Sequence, residues 1–140
     1  MKQVPIVYLA GGMRVEWRMA VKARVRNCIF LDPTEHNLND EQSYTAWDLT
    51  AVDAADIIFA YAEASNPSCI GLAFELGWAA KAEKSIVYIE PDDHPKTQYL
   101  GMLRVASSVR VKTLDDGISM LDAAISCFPH RLTFIGSNPQ

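Results

Sequence analysis

Glu75 is the only charged residue between Glu63 and Lys81. It stands in the apolar run Gly71-Leu72-Ala73-Phe74-Glu75-Leu76-Gly77-Trp78. A buried, unpaired carboxylate is costly. A place in the first turn or so of a helix offsets part of that cost, because the positive end of the helix dipole keeps the group ionised. Such a carboxylate can serve as a nucleophile or a base, and a structural glutamate fits the spacing equally well. Asp48 follows Trp47 on the preceding predicted helix, and Tyr8 sits near the end of the first apolar run. Tyr8, Asp48 and Glu75 can converge on one cleft. Gly11-Gly12 closes that first run. Glycines there let backbone N–H groups approach a ligand, ahead of a helix N-terminus, although a simple tight turn needs the same pair. Arg14 opens the following helical stretch, where a cation works against the dipole, so a ligand-binding role is weighed against a solvated side chain.

Other constellations are missing from the sequence. There is no G-x-G-x-x-G fingerprint and no Walker phosphate loop. No Ser-His-Asp order or metal-ligand spacing occurs, and Asp92-Asp93-His94 is rejected as a metal site because adjacent residues rarely converge. His36, His94 and His130 lie in polar or proline-flanked stretches and read as surface histidines. Cys28, Cys69 and Cys127 are odd in number and widely spaced, which fits neither a disulfide framework nor zinc and suits a reducing cytosol. Cys28 and Cys127 read as ordinary buried thiols. Trp17, Trp47 and Trp78 can each stack on a base, with core packing the competing role for at least two of them.

These residues need elements to position them. Val4–Ala10 reads as a buried strand. Arg14 to Asn27 reads as a helix, with the apolar residues Val15, Met19, Val21 and Val25 mostly at spacings of three, four or six and a basic outer face. Cys28–Leu31 is a short strand stopped by Asp32-Pro33. Thr34 to Ser43 reads as a long loop, and its length hints at function. Tyr44 to Ala55 is the next helix, with Ser43 as candidate cap. Asp56–Ala62 is a continuous apolar strand, as expected when both faces are covered. Ser65-Asn66-Pro67-Ser68 is a turn cluster. A helix over Gly71 to Lys84, a strand over Ser85–Ile89, a loop or short helix over Asp92 to Ala106, a strand over Val109–Val111 and a helix over Asp115 to Phe128 complete the pattern. In the tail, Leu132–Ile135 either pairs as a strand or docks on a partner subunit.

Strands alternating with helices predict a single-domain α/β fold over residues 1–140: a doubly wound, five-stranded, mostly parallel sheet of flavodoxin or Rossmann-like type, with helices on both faces. Right-handed crossovers then place all loops after strands at one edge, where ligands bind. That edge carries Tyr8–Arg14, Asp32–Ser43, Glu63–Ile70 and Glu90–Asp93.

The chain has 140 residues, 17 Asp+Glu against 13 Lys+Arg, and a formal net charge of −4. An acidic chain with no Lys/Arg cluster argues against a nucleic-acid polymer as partner. It leaves room for a small anion. No apolar stretch approaches the ~20 residues that span a bilayer, and the N-terminus has no signal-peptide layout, so the expected location is cytoplasmic with no membrane partner.

Taken in order, Tyr8-Leu9-Ala10-Gly11-Gly12, Trp47-Asp48-Leu49, Ala55-Asp56-Ile57-Ile58 and Gly71-Leu72-Ala73-Phe74-Glu75-Leu76-Gly77-Trp78-Ala79 resemble the nucleoside 2-deoxyribosyltransferase family. The resemblance runs from Tyr8 to about Met102. It implies that Glu75 attacks the anomeric carbon and displaces the base, that Asp48 contacts the sugar or delivers a proton to the base, and that Tyr8 positions the nucleophile. A second base, or water, then takes the deoxyribosyl group. No cofactor and no metal are implied. The substrate-binding set it suggests is Gly11, Gly12, Arg14, Trp17, Trp47, Ser68, Cys69 and Gly71.

Two departures matter. Transferases of this family often carry a base-recognising Asp at the position held here by Cys69, and a thiol cannot hydrogen-bond a base edge as a carboxylate does. A sister branch, the 2′-deoxynucleoside 5′-monophosphate N-glycosidases, also lacks that Asp and uses an Arg at the place of Arg14 for the 5′-phosphate. Yet serines that the branch carries are Gly12 and Leu100 here. The expected activity is therefore deoxyribosyl transfer between bases, with monophosphate hydrolysis as the rival and a non-catalytic nucleotide-binding or sensor domain as a third reading. The expected partners are a nucleoside or nucleotide and a nucleobase. The resemblance also implies a homodimer or higher homo-oligomer with shared active sites.

Overall fold

The computed structural model describes residues 3–66 and 68–131. Five strands form one sheet: β1 (Ile6–Gly11), β2 (Ile29–Leu31), β3 (Ile57–Tyr61), β4 (Ser85–Ile89) and β5 (Val109–Val111). Their order is β2-β1-β3-β4-β5 and every pairing is parallel. The chain steps outward from β1 to β2, then returns past β1 to β3. The loops after β1 and β3 therefore diverge, and the crevice between them is the expected ligand position of a doubly wound sheet. The helices are α1 (Glu16–Arg24), α2 (Glu41–Ala54), α3 (Ile70–Lys81), α4 (Gly101–Ala106) and α5 (Leu114–Cys127).

Side chains alternate across a strand. Val7 and Leu9 join Trp17, Val21, Ile118 and Leu121 in one core, beneath α1 and α5. Tyr8 and Ala10 join Val52, Leu72, Leu76 and Leu103 in the other, beneath α2, α3 and α4. Both faces are covered, which is why β1 and β3 read as unbroken apolar runs rather than alternating ones.

The structure departs from the sequence expectations in several places. The first helix starts at Glu16, so Arg14 precedes it. It ends at Arg24, because Val25 turns extended and Asn27 takes a left-handed φ of 63°. Its outer face is not uniformly basic, since Arg18 is 1% exposed. The long loop is shorter than expected. Pro33–Glu35 forms a 3-10 turn, and α2 begins at Glu41 with Asp40 as its cap. The Asp40 carboxylate accepts the Ser43 N–H at 2.8 Å, so Ser43 is the capped residue rather than the cap. Cys28 is half-buried and Cys127 is exposed, so neither fits the expected buried thiol. Leu132–Ile135 lies outside the described residues. Among those described, no helix is long and apolar enough to cross a membrane.

Candidate active site

Tyr8 is fully buried in β1 and points toward α2 and α3. Its hydroxyl donates a short hydrogen bond to Glu75 Oε2. Glu75 lies in the second turn of α3, one turn later than the sequence suggested. Burial pushes its carboxyl up to about 7. The Tyr8 hydrogen bond and the Arg18 charge pull it down, while the nearby Asp48 charge pushes it up. Tyr8 is pushed far above the ordinary phenol range, first by burial and then by the Glu75 charge, so it stays a proton donor. Glu75 is thus poised between its two protonation states near neutral pH, where a nucleophile or base is useful.

Asp48 on α2 faces the same space. Its Oδ1 is 3.2 Å from His36 Nε2. The Leu38 N–H donates to His36 Nδ1 at 3.0 Å, so the neutral ring carries its proton on Nε2 and donates it to Asp48. Trp47 packs edge-on against the same ring, with centroids 4.8 Å apart. Burial raises the Asp48 carboxyl and the His36 contact offsets part of that rise. Two carboxylates and one imidazole therefore share the site. His36 was expected at the surface, but its side chain is 8% exposed. Its polar sequence neighbours hid it, since only the fold of the β2–α2 loop turns the ring inward.

The site opens into a cleft of about 690 Å³ between the β1–α1 loop, the β2–α2 segment and the start of α3. That volume suits a nucleoside-sized ligand. Glu75, Asp48, Gly11, Gly12, Ser68, Cys69 and Gly71 all line it, and so do His36, Asn39 and Tyr44, which the sequence did not single out. Tyr8 lies beneath the cleft and reaches it through Glu75. Gly11 cannot be another residue. It has φ +144°, and a Cβ there would sit 2.6 Å from the Tyr61 carbonyl oxygen.

Three suggested residues stand elsewhere. Trp17 is 4% exposed and does not border the cleft, so it offers no face to a base. It packs against Phe59 and Tyr61 and donates to the Gly12 carbonyl at 3.3 Å. Trp47 buttresses His36 rather than the cavity. Arg14 does not line the cleft; its side chain is 57% exposed, donates to Ser65 Oγ at 3.3 Å and lies 3.8 Å and 3.9 Å from the Glu16 and Glu63 carboxylates. Trp78, weighed between base stacking and core packing, is 42% exposed and donates to Asp53 at 2.8 Å.

Arg18 is a further residue the sequence did not reveal. Its guanidinium donates to the carbonyls of Leu9, Gly11 and Gly12 at 2.8, 3.2 and 3.0 Å and pairs with Asp32 at 3.1 Å. It ties the loops after β1 and β2 together behind the cleft. Burial alone would raise the Asp32 carboxyl, but hydrogen bonds from Lys22 and Thr34 and the Arg18 charge hold it below the usual range. Asp92 pairs outward with Arg110 and Lys112 while His94 turns inward, so Asp92-Asp93-His94 does not gather as a metal site.

The solved CMP N-glycosidase BcmB of Clostridium botulinum superposes with a TM-score of 0.61 at 17% identity, over 84% of this chain and 98% of that one. A 2-desoxiribosyltransferase from Leishmania mexicana gives 0.55 at 24% identity, over 75% of this chain and 73% of that one. At those identities the likeness is one of fold. No curated protein matches the sequence. Residues 4–92, which carry Tyr8, Asp48 and Glu75, match the family model described as nucleoside 2-deoxyribosyltransferase like, and the chain belongs to that family.

Proposed function

We propose that the protein cleaves the N-glycosidic bond of 2′-deoxynucleosides through a covalent glycosyl-Glu75 intermediate and passes the deoxyribosyl group to a second nucleobase or to water. The observation that carries this reading is the Glu75 carboxylate on the cleft wall, hydrogen-bonded by Tyr8 and poised near neutral pH. In the first step an ionised Glu75 oxygen bonds to C1′ as the C1′–N bond breaks. The bond pair leaves with the base, which takes a proton from the Asp48–His36 side. In the second step a nitrogen of the incoming base, or a water oxygen, bonds to C1′, its proton returns to the Asp48–His36 side, and the ester electrons return to Glu75. Two displacements retain the configuration at C1′, as in retaining glycosidases. A substrate without a 2′-hydroxyl destabilises the oxocarbenium-like transition state less and reacts more readily. Tyr8 holds Glu75 in one rotamer and stays protonated throughout. No step calls for a metal or cofactor.

A second reading, hydrolysis of 2′-deoxynucleoside 5′-monophosphates, is favoured by the cleft wall at Cys69. Burial and the Glu90 charge raise this thiol, so the wall is uncharged where a carboxylate would repel a phosphate. Gly12, Ser68 and Gly71 border the same part of the cleft. Arg14, two residues past Gly12, would take the phosphate.

The protein also acts, in this proposal, as a homodimer or larger homo-oligomer. Ile70, Phe74 and Trp78 form an exposed stripe on α3, and Tyr99, Met102 and Val105 are exposed on and just before the neighbouring α4. An apolar helix face of this extent needs cover. Ile70 and Phe74 also line the cleft, so a second copy seated there would close it.

Incubation with 2′-deoxynucleosides and their 5′-monophosphates, with and without an acceptor base, tests the reaction. Base exchange is expected. Free base released only from monophosphates would select the hydrolase. No turnover, with Glu75→Ala binding ligand as the native chain does, would leave a binding module. A single-chain mass in light scattering, unchanged by Phe74→Glu, would refute the oligomer.

A further inference from the structure

Cys69 is the one residue of the α3 start held in a conformation that L-residues leave readily. It takes φ 49° and ψ 19°, is 2% exposed, and makes no side-chain cap to its helix. Such conformations persist only when the surroundings hold them. The holding contacts come from two other loops. The Lys96 N–H donates to His94 Nδ1 at 3.0 Å, which leaves the neutral ring's proton on Nε2. That nitrogen is 3.5 Å from Cys69 Sγ, and the thiol in turn donates to the Asn66 carbonyl at 3.3 Å. The Asn66 side chain abuts Gly12, whose Cβ, if present, would lie 3.1 Å from it. His94 and Cys69 are 3% and 2% exposed, so their contact is shielded from water. The chain of contacts joins the loops after β4, β3 and β1 around the first turn of α3.

From this geometry we infer that His94 and Cys69 are positioning residues for the nucleophile. Together they lock the left-handed turn from which α3 departs, and so aim Glu75 at the cleft. The inference rests on the reading of Glu75 as nucleophile. Glu75 is six residues along the same helix, about 9 Å from Cys69 at the α-helical rise. A small tilt at residue 69 is therefore carried to the reacting oxygen. Misplacement by about 1 Å costs up to ~100-fold in rate. Cys69 borders the cleft, but in this scheme the pair acts on the aim of Glu75 rather than on substrate. His94 acts through the thiol, and the thiol acts through the backbone it pins.

The test pairs a disruptive variant with a conservative one. His94→Phe keeps the bulk and removes both hydrogen bonds. His94→Gln offers an amide that can donate to the thiol and accept from Lys96. The rate of glycosyl-Glu75 formation, read by acid quench and intact mass and normalised to folded protein, should fall ~10–100-fold in His94→Phe with KM changed less than about threefold. His94→Gln should recover most of that rate. Cys69→Gly, which suits the left-handed turn but has no thiol, should behave like His94→Phe. A purely structural pair would lower the melting temperature of His94→Phe and leave the rate per folded molecule unchanged, and that result overturns the proposal. Full activity in Cys69→Gly overturns it as well. Hydrogen exchange keeps the two readings apart. If the native chain turns over no nucleoside, the nucleophile reading fails by itself, while faster exchange over residues 66–74 in His94→Phe but not in His94→Gln still supports the lock. Unchanged exchange in both refutes it.

Discussion

Removing the Tyr8 hydroxyl should change the pH at which the protein works more than it changes the maximal rate. In Tyr8→Phe the Glu75 carboxylate loses the hydroxyl that donates to it, while its burial and the neighbouring Asp48 charge remain. A hydrogen bond to a charged group contributes about 1.5–3 kcal/mol. At 1.36 kcal/mol per pH unit, its loss moves the ionisation of Glu75 upward by about one to two pH units from its value of about 7. The sign follows from the proposed mechanism. Glu75 must be ionised to attack, so activity falls as pH drops through its pKa. At pH 7 roughly half of the native carboxylates are ionised, and in the variant only about one per cent to about a tenth would be. The acid limb of kcat/KM should therefore shift upward. The loss at pH 7 should be about 5–50-fold, with recovery to within a few-fold at pH 9 or above. Asp48→Asn removes a charge that pushes Glu75 up, and it should move the same limb downward even if the maximal rate falls. The groups facing Glu75 are Tyr8, Asp48 and Arg18, with His36 behind Asp48, and none of the others changes in Tyr8→Phe. A rate loss in Tyr8→Phe equal at every pH would refute the electrostatic argument and leave Tyr8 a packing residue.

Three further outcomes are expected. The Glu75 carboxyl is raised from 4.5 to about 7 in the fold, so its stabilising contribution is complete below the unfolded value and lost as pH rises through 7. Glu75→Gln should accordingly melt higher than the native chain at pH 8, by up to about 3 kcal/mol, with little difference at pH 4; equal melting at pH 8 would contradict the burial argument. Asp32 has the opposite sign. Its carboxyl is held below the usual range, so its contribution is present above the unfolded pKa and is lost as pH falls through the folded one. Asp32→Asn, which leaves the buried Arg18 without its carboxylate, should melt well below the native chain at pH 7 and close to it at the lowest pH at which both fold. Gly11→Ala should destabilise the chain by about 1–3 kcal/mol, read by urea melts, because φ +144° and the 2.6 Å approach to Tyr61 leave no room for a methyl group.

Much of the site was legible along the chain. Glu75 stood out because it is a lone charge in an apolar helix, and lone charges in such runs are costly unless used. Tyr8, Gly11 and Gly12 were legible because a buried strand ended by glycines marks the binding edge of a parallel sheet. His36 was not, because nothing in Thr34 to Ser43 says which way a ring will face. Arg18 was missed for a related reason. A cation on an amphipathic helix normally lies outward, and only the carbonyls of Leu9, Gly11 and Gly12 together with Asp32 offset the cost of its burial. Trp17 failed in the other direction. Its place near the glycines suggested a base platform, yet its helix turns it onto Phe59.

The sequence by itself determined the alternation of strands and helices, because hydrophobic period and chain punctuation are local properties. It also determined the family and the three side chains that meet at the cleft, because their order and spacing survive without coordinates. Only the tertiary structure decided which polar groups are dry. Burial and hydrogen bonding depend on residues far apart in sequence, and they set the ionisation of Glu75, the pairing of His36 with Asp48 and the inward turn of His94 onto Cys69. Residue type chose the chemistry that is available. The water excluded around those side chains chose which of it can run near neutral pH.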